Sequence, residues 1–182
     1  MTYHSKFNGE SATEACGIPL LPVTEKDSYN NADTASHDIV DEAIHLFRAR
    51  ILFKNYKIKG GADKVIIYLT CFMQKLFEQM VRYPAKDAAT AIANQICNDA
   101  AAINVGESSF FMNKLGLLSA NSPVAEKRQC SEYLKKLMKE CSKRLLEYLF
   151  REGEGDMNRK FWVGLGKRPF LGQKFVDKQY YN

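Results

Sequence analysis

The chain has few of the residues from which catalytic sites are built. It contains only three histidines, His4, His37 and His45, and none of them stands in an HExxH motif. A GxSxG nucleophile elbow and a DxDxDG calcium loop are also missing from the sequence. A catalytic site needs acid–base or nucleophilic groups within reach of one another. We therefore expect that the protein is not an enzyme.

Cysteine is scarce and wrongly spaced for a metal or disulfide site. The five cysteines are an odd number, stand far apart and form no CxxC pair. That spacing disfavours both a zinc site and a disulfide framework. We expect free thiols that pack as small hydrophobic groups, no bound metal, and a reducing, cytoplasmic location.

Long apolar runs are missing as well. No window approaches the ~18 uninterrupted apolar residues of a membrane span, and the N-terminus lacks the basic start and apolar stretch of a secretory signal. The segment GLGKRPFLG (164–172) superficially resembles a phosphate loop. However, Phe161 occupies the first glycine position, and Arg168 and Pro169 follow the lysine. The sequence therefore predicts no membrane span and no phosphate loop.

Helical periodicity dominates the pattern that is present. Apolar positions repeat at helical spacing in four long segments, and Ser36 or Asp38 can cap the first of them. The second segment, ADKVIIYLTCFMQKLFEQMVRY, is apolar around nearly its full circumference, which is typical of a helix at the centre of a bundle. No strand pattern persists. We expect an all-α single domain over residues 1–182, with one central apolar helix surrounded by others.

Two distinct ends flank the helical body of residues 36–158. Residues 1–35 are polar and turn-rich around the apolar IPLLPV, which predicts an extended arm whose leucines lie in a groove on the body. Residues 159–182 carry six basic side chains against one acid, Asp177, interleaved with aromatics. This basic aromatic tail predicts a strap whose aromatics dock on the bundle. The competing interpretation is a free helical adaptor whose tail binds nucleic acid or another anionic surface.

The stretch FKNYKIKGGADK (53–64) contains two aromatics, four lysines and a glycine pair. It has no serine or threonine after a GK pair, so it is not a phosphate loop, and by itself it indicates a turn between helices. Its wider context, DIVDEAIHLFRARILFKNYKIKGGADKVIIYLT (38–70), closely resembles subunit 3 of the actin-related protein 2/3 complex, which nucleates branched actin filaments. Shorter matches in the same order are Tyr3-His4-Ser5, LLPV (20–23) and Lys160-Phe161-Trp162.

The resemblance implies a fold, a role and a set of partners. It implies an all-helical structural subunit that has no ATP or other cofactor of its own and that docks on actin-related protein 3. The seven-subunit complex would then meet the actin filament as a whole. The implied subunit is not a homo-oligomer and has neither a nucleic-acid nor a membrane partner. Segment 97–122 departs from the family pattern, which commonly has a proline- and glycine-rich stretch there, so its contacts stay open.

The candidate contact residues are exposed aromatic and basic groups in the matched motifs. They are Phe53, Lys54, Tyr56 and Lys57 beside the turn, and Lys160 and Trp162 in the late motif. Phe53 and Trp162 are equally well interpreted as core residues. Lys59 and Lys64 would face solvent or touch the second actin-related protein. The basic tail suits an acidic, actin-like partner surface.

Overall fold

The structure, a computed structural model, describes residues 3–151 and 156–180 of the chain. Within these ranges six α-helices and two short strands follow one another. In chain order they are β1 Glu14–Ala15, β2 Ile18–Pro19, α1 Ile39–Arg50, α2 Gly61–Met80, α3 Lys86–Asn98, α4 Phe111–Lys114, α5 Val124–Phe150 and α6 Asp156–Leu165. The mostly helical architecture agrees with the expected fold class. The expectation that no strand forms is wrong for the N-terminal arm.

Helix α2 packs against four other helices, α1, α3, α5 and α6, and against strand β2. Its sequence explains this position, because apolar side chains cover nearly its whole circumference. Ile66, Leu69, Phe72 and Phe77 are all completely buried. Each such side chain stabilises the fold by about 1.5–3 kcal/mol when it leaves water. The apolar circumference of α2 therefore gives every neighbouring helix a face on which to pack.

Helix α1 begins at a capping box that is tied to α5. The Asp38 side chain accepts hydrogen bonds from the backbone N–H groups of Val40 and Asp41, and the Asp41 side chain accepts one from the Asp38 backbone. Arg144 of α5 donates from Nη1 to Asp38 Oδ1 at 2.7 Å and from Nη2 to Asp38 Oδ2 at 3.0 Å. The same Nη2 donates to the carbonyl of Thr24. One buried guanidinium thus joins the arm, α1 and α5.

The N-terminal arm turns back on itself and lies on the body. Strands β1 and β2 pair in antiparallel fashion, and the chain reverses at Cys16 (φ 54°) and Gly17 (φ 78°). Both residues are in the left-handed region, which glycine adopts at no steric cost. Ile18 and Leu21 are buried, and β2 packs on α2. The arm therefore contributes to the hydrophobic core.

The C-terminal tail is a strap that docks on the bundle through its aromatic residues. The buried ring of Phe175 lies 5.4 Å from that of Tyr68 and 5.8 Å from that of Phe72, both on α2 (centroid distances). The Tyr180 hydroxyl, also buried, donates to Asp99 Oδ2 at 2.9 Å. Rings held in this way are not available to stack on bases. The strap interpretation therefore holds, and the free nucleic-acid adaptor is not favoured.

Three further features concern the parts of the chain that the structure describes. In residues 3–151 and 156–180, none of the helices is long and apolar enough to cross a bilayer. In the same ranges, His, Cys, Asp and Glu side chains nowhere gather in threes that could hold a metal ion. All five cysteines are free and buried. Burial raises the pKa of the Cys97 thiol to about 11 and that of Cys130 to about 12, so these thiols stay protonated.

Candidate protein-interaction surfaces

The connection between α1 and α2, residues 51–60, is anchored from beneath by Asp63, a fully buried residue in the first turn of α2. Its carboxylate accepts hydrogen bonds from the backbone N–H groups of Ser5 at 2.8 Å and Lys59 at 3.0 Å, and from the Tyr56 hydroxyl at 3.0 Å. The ring nitrogen Nδ1 of His4 lies 2.8 Å from it. Burial alone would raise the pKa of Asp63, but these hydrogen bonds outweigh burial and lower it. The charged carboxylate therefore fastens the N-terminal segment to the connection.

Arg50, the last residue of α1, adds a second fastening at the same place. It is fully buried, and its Nε donates to the carbonyl of Tyr3 at 2.9 Å. The oxygen of the Tyr56 hydroxyl lies 2.9 Å from the same carbonyl oxygen. Burial lowers the pKa of Arg50, although the negative charges of neighbouring groups act to raise it. Because its shape is fixed from beneath, the connection can meet a partner without first losing conformational freedom.

The outer side of the connection borders an apolar groove of about 410 Å³. Five aliphatic side chains contribute to its lining: Ile58, Ile67, Leu115, Leu117 and Leu171. Lys54, Asn55, Tyr56 and Lys57 complete the lining, and both lysines are exposed to solvent. An apolar floor with a basic rim can receive an apolar side chain from a negatively charged surface.

Four of the six sequence candidates lie together on this connection. Lys54 and Lys57 are exposed, whereas Phe53 and Tyr56 are half-buried. The ring of Phe53 packs near that of Tyr3, with centroids 6.3 Å apart. Phe53 is therefore neither a core residue nor a freely exposed anchor.

Lys59 and Lys64, which lie next to these candidates in the sequence, differ in their contacts. Lys59 is exposed and gives only its backbone N–H to Asp63. Lys64 is half-buried, and its ammonium group donates to the carbonyl of Gly17 at 3.0 Å. Of the two, Lys59 has the side chain that is free to meet another protein.

Trp162 is a core residue, which is one of the two alternatives that the sequence leaves open. Only 3% of it is exposed. Its ring stacks on Phe47 of α1 at 5.9 Å and lies 6.1 Å from the rings of both Phe77 of α2 and Tyr148 of α5. Trp162 therefore fixes α6 against three other helices. Lys160, the other candidate on α6, is exposed.

The outer face of α6 is exposed and apolar, and it is not among the surfaces predicted from the sequence. Met157 is 83% exposed and Phe161 is 49% exposed. The guanidinium carbon of Arg48 lies 4.6 Å from the centroid of the Phe161 ring. Residues 157, 161 and 164 are spaced i, i+4 and i+7, so they share one helical face. Once the bounds of α6 are known, this spacing in the sequence predicts the face.

A second apolar cleft, of about 440 Å³, lies between α6 and the end of α2. It is lined by Met80, Val81, Pro84, Asp156, Arg159, Lys160, Val163, Gly164 and Lys167. Arg159 forms an ion pair with Asp156 within α6. Lys160 and Lys167 are exposed, and neither meets a carboxylate within residues 3–151 and 156–180. The cleft therefore combines apolar walls with two positive charges that no carboxylate of the described ranges meets.

Comparison with known proteins gives one consistent result. The sequence model of the family described as "P21-Arc: ARP2/3 complex ARPC3 (21 kDa) subunit" matches residues 1–175. Proteins named actin-related protein 2/3 complex subunit 3 are similar over most of the chain. The one from Arabidopsis thaliana is 38% identical, covering 94% of this chain and 97% of its own length. The one from Dictyostelium discoideum is 33% identical, covering 95% and 99%. The one from Schizosaccharomyces pombe is 31% identical, covering 94% and 97%.

Proposed function

The chain belongs to the ARPC3 family of actin-related protein 2/3 complex subunits, and we propose that within this complex it docks on actin-related protein 3 through the α1–α2 connection. Its function is that of a structural subunit of the complex that nucleates branched actin filaments. The single observation that carries this function is the family match over residues 1–175. We further propose that the role is non-catalytic and that it is exercised in the cytoplasmic actin cytoskeleton.

The shape and charge of the α1–α2 connection support the proposed docking. Lys54 and Lys57 stand exposed at the rim of the apolar groove, and the half-buried rings of Phe53 and Tyr56 lie beside them. Actin-like proteins present acidic surfaces, which such a basic rim would attract and orient. Aromatic side chains next to cations are frequent binding anchors. The network around Asp63 holds this arrangement ready before the partner arrives.

Lys160 and Trp162 contribute to docking in different ways. Lys160 is exposed and adds positive charge to the surface of α6. Trp162 is buried, and it acts by holding α6 in place against Phe47 and Phe77. We therefore propose Lys160 as a contact residue and Trp162 as the residue that positions it.

The function is tested by assembling the complex with and without this chain. Branched nucleation is followed as pyrene–actin polymerisation in the presence of an activator, with branch density counted by fluorescence microscopy. A lower polymerisation rate and fewer branches are expected when the chain is left out, and adding the purified chain back is expected to restore both. Equal nucleation with and without the chain would contradict the proposed role.

The docking surface is tested by reversing its charge. Lys54→Glu combined with Lys57→Glu is expected to lower incorporation into the complex about tenfold when the variant competes with the unaltered chain, which corresponds to about 1.4 kcal/mol. Cross-linking mass spectrometry of the unaltered complex is expected to join residues 53–59 to actin-related protein 3. Lys136→Glu combined with Lys139→Glu, on the exposed face of α5, makes the same charge change elsewhere and is the matched control. Equal losses in both pairs would assign the effect to net charge and remove the connection from the interface.

A further inference from the structure

We propose that the cleft between α6 and the end of α2 is a second docking site, which receives a segment of a partner subunit that carries an apolar side chain flanked by carboxylates. This inference rests on the proposed function, since it assumes that the chain works inside a complex. The site lies on different elements from the α1–α2 connection. Its walls are Val163 and Gly164 of α6 with Met80, Val81 and Pro84 opposite, and charged side chains of α6 and of Lys167 stand at its rim.

The apolar side chains at this place are largely exposed in the part of the chain that the structure describes, and the Arg48 guanidinium covers only one face of the Phe161 ring, at 4.6 Å. Met157 is 83% exposed, Phe161 49% and Val81 48%. These are three of the six large hydrophobic side chains that are exposed in residues 3–151 and 156–180. Single exposed apolar residues are common, but a group of them around a cleft is typical of an interaction site. Val81 lines the cleft, and Met157 and Phe161 stand on α6 beside the cleft-lining residues Asp156 and Lys160.

The two glycines of this region differ in a way that points to an external partner. A side chain at Gly166 would lie 2.4 Å from Cβ of Phe77, so the packing of the chain explains that glycine. A side chain at Gly164 would meet nothing within 4 Å, and the φ of Gly164 is not in the left-handed region. Glycine destabilises a helix relative to alanine. The fold gives no reason for glycine at position 164, whereas a partner that approaches α6 closely does.

The charges at the rim determine the chemistry of the partner. Arg159 is engaged by Asp156 and by the ring of Phe150, which lies 4.5 Å from its guanidinium carbon. Lys160 and Lys167 remain uncompensated by any carboxylate in the part of the chain that the structure describes. An apolar cleft between two such cations is complementary to a segment in which acidic residues flank an apolar one. A basic or purely polar segment would leave both the cations and the apolar walls without partners.

Filling the cleft is the sharpest test, and it can be made without disturbing the core. Gly164→Leu places a side chain into open space on a helix that leucine favours, so the Tm of the isolated chain is expected to stay equal or to rise. In competition with the unaltered chain, incorporation into the complex is expected to fall about tenfold or more. Ala125→Leu adds comparable bulk at an exposed position of α5 and is expected to incorporate normally.

The acidic character of the partner is tested separately. Lys160→Glu combined with Lys167→Glu is expected to lower incorporation about tenfold as well, while the Lys136→Glu and Lys139→Glu pair on α5 leaves it unchanged. Phe161→p-benzoylphenylalanine in the assembled complex identifies the occupant by photo-cross-linking. The expected product joins α6 to a segment of another subunit with acidic residues around an apolar one.

The outcomes separate this inference from the proposed function. Should the unaltered chain fail to enter the complex, the proposed function itself is wrong. Should the unaltered chain and Gly164→Leu enter equally well, the function stands and the docking cleft is overturned. Loss with Gly164→Leu but not with the charge reversals overturns the acidic partner. A cross-link from position 161 only to this chain, or to a second copy of it, overturns the partner subunit as the occupant.

Discussion

Arg144→Met removes the guanidinium that joins the arm, α1 and α5. Arg144 is fully buried, and so is the Asp41 carboxylate that lies 3.1 Å from its Nη1. The Asp38 carboxylate receives two hydrogen bonds from the same group. Methionine fills much of the volume of the arginine chain, so the change mainly removes charge and hydrogen bonds. It leaves the Asp38 carboxylate in the interior without a cation, whereas Asp41 keeps its ion pair with Lys26.

The expected loss of stability follows from the burial of this group. Removing one partner of a buried ion pair costs about 3–5 kcal/mol, because the remaining charge is left uncompensated. For a domain of this size each kcal/mol lowers Tm by about 2–4 °C, so the fall in Tm is about 6–20 °C. Arg128→Met on the same helix removes an exposed i, i+4 pair with Glu132 and is expected to cost only about 0.3–0.5 kcal/mol.

The pH dependence of the stability provides a second test of the same prediction. Burial alone would raise the pKa of Asp38, but the hydrogen bonds and charge of Arg144 outweigh it, so the pKa is lowered. A carboxyl group whose pKa is lowered on folding stabilises the fold above its unfolded value, about 3.9, and that stabilisation is lost as pH falls through the folded value. In the Arg144→Met variant, the charged form of the Asp38 carboxylate destabilises the fold, because it is buried without its cation. The difference in stability between the two proteins is therefore expected to shrink as pH falls below about 4.

Urea denaturation at pH 7 and pH 3.5, followed by circular dichroism, measures both effects. The double variant Arg144→Met/Asp38→Asn is expected to cost less than the sum of the single changes, because asparagine retains the cap without the charge. A loss below about 1 kcal/mol at pH 7, comparable to that of Arg128→Met, would refute the reasoning. So would a difference that does not change with pH.

Three further predictions follow from the structure. Gly166→Ala brings a Cβ to 2.4 Å from Phe77 and should lower the free energy of unfolding by about 1–3 kcal/mol in chemical denaturation; unchanged stability would mean that α6 is not packed as described. Asp63→Asn removes the charged acceptor of the Ser5 backbone N–H and should speed limited proteolysis within residues 3–12, with Asp33→Asn as the exposed control. The five buried cysteines should not react with a thiol reagent in the native protein, and all five should react in denaturant; fast native labelling would contradict their burial.

The central position of α2 is predictable because it depends on a local pattern. The segment from Val65 to Met80 is apolar on nearly all sides, and a helix must be enclosed by others to bury such a surface. The same holds for the cap of α1, where Asp38 and Asp41 stand three residues apart, as a capping box requires. Each of these features depends only on residues within a single helix, so each can be predicted from the local sequence.

Features that depend on distant parts of the chain were not predictable in this way. The ion pair of Arg144 with Asp38 joins residues that are 106 positions apart, and nothing local distinguishes this arginine from its exposed neighbours. Strands β1 and β2 have two residues each, which is too short for an alternating pattern to show. The burial of Trp162 depends on the bounds and orientation of α6, because it lies next to the exposed Phe161 in the same motif.

The family resemblance indicates which residues are candidates for contact with a partner. It does not indicate which of their side chains are exposed and which are held within the chain. The α1–α2 connection presents Lys54 and Lys57 to solvent because the network around Asp63 lies beneath them. Lys64, in the same basic stretch, is committed to the carbonyl of Gly17. Trp162 is committed to the core. The structure therefore narrows the candidate surface to residues whose side chains are not already used within the chain.

The measurement that tests the central conclusion most directly is affinity purification of this chain from a native lysate, with quantitative mass spectrometry of what comes with it. Membership of the actin-related protein 2/3 complex predicts recovery of two actin-related proteins and a fixed set of small subunits, in equal molar amounts that survive moderate salt. Recovery of the chain alone, or with nucleic-acid-binding proteins that salt removes, would contradict that conclusion.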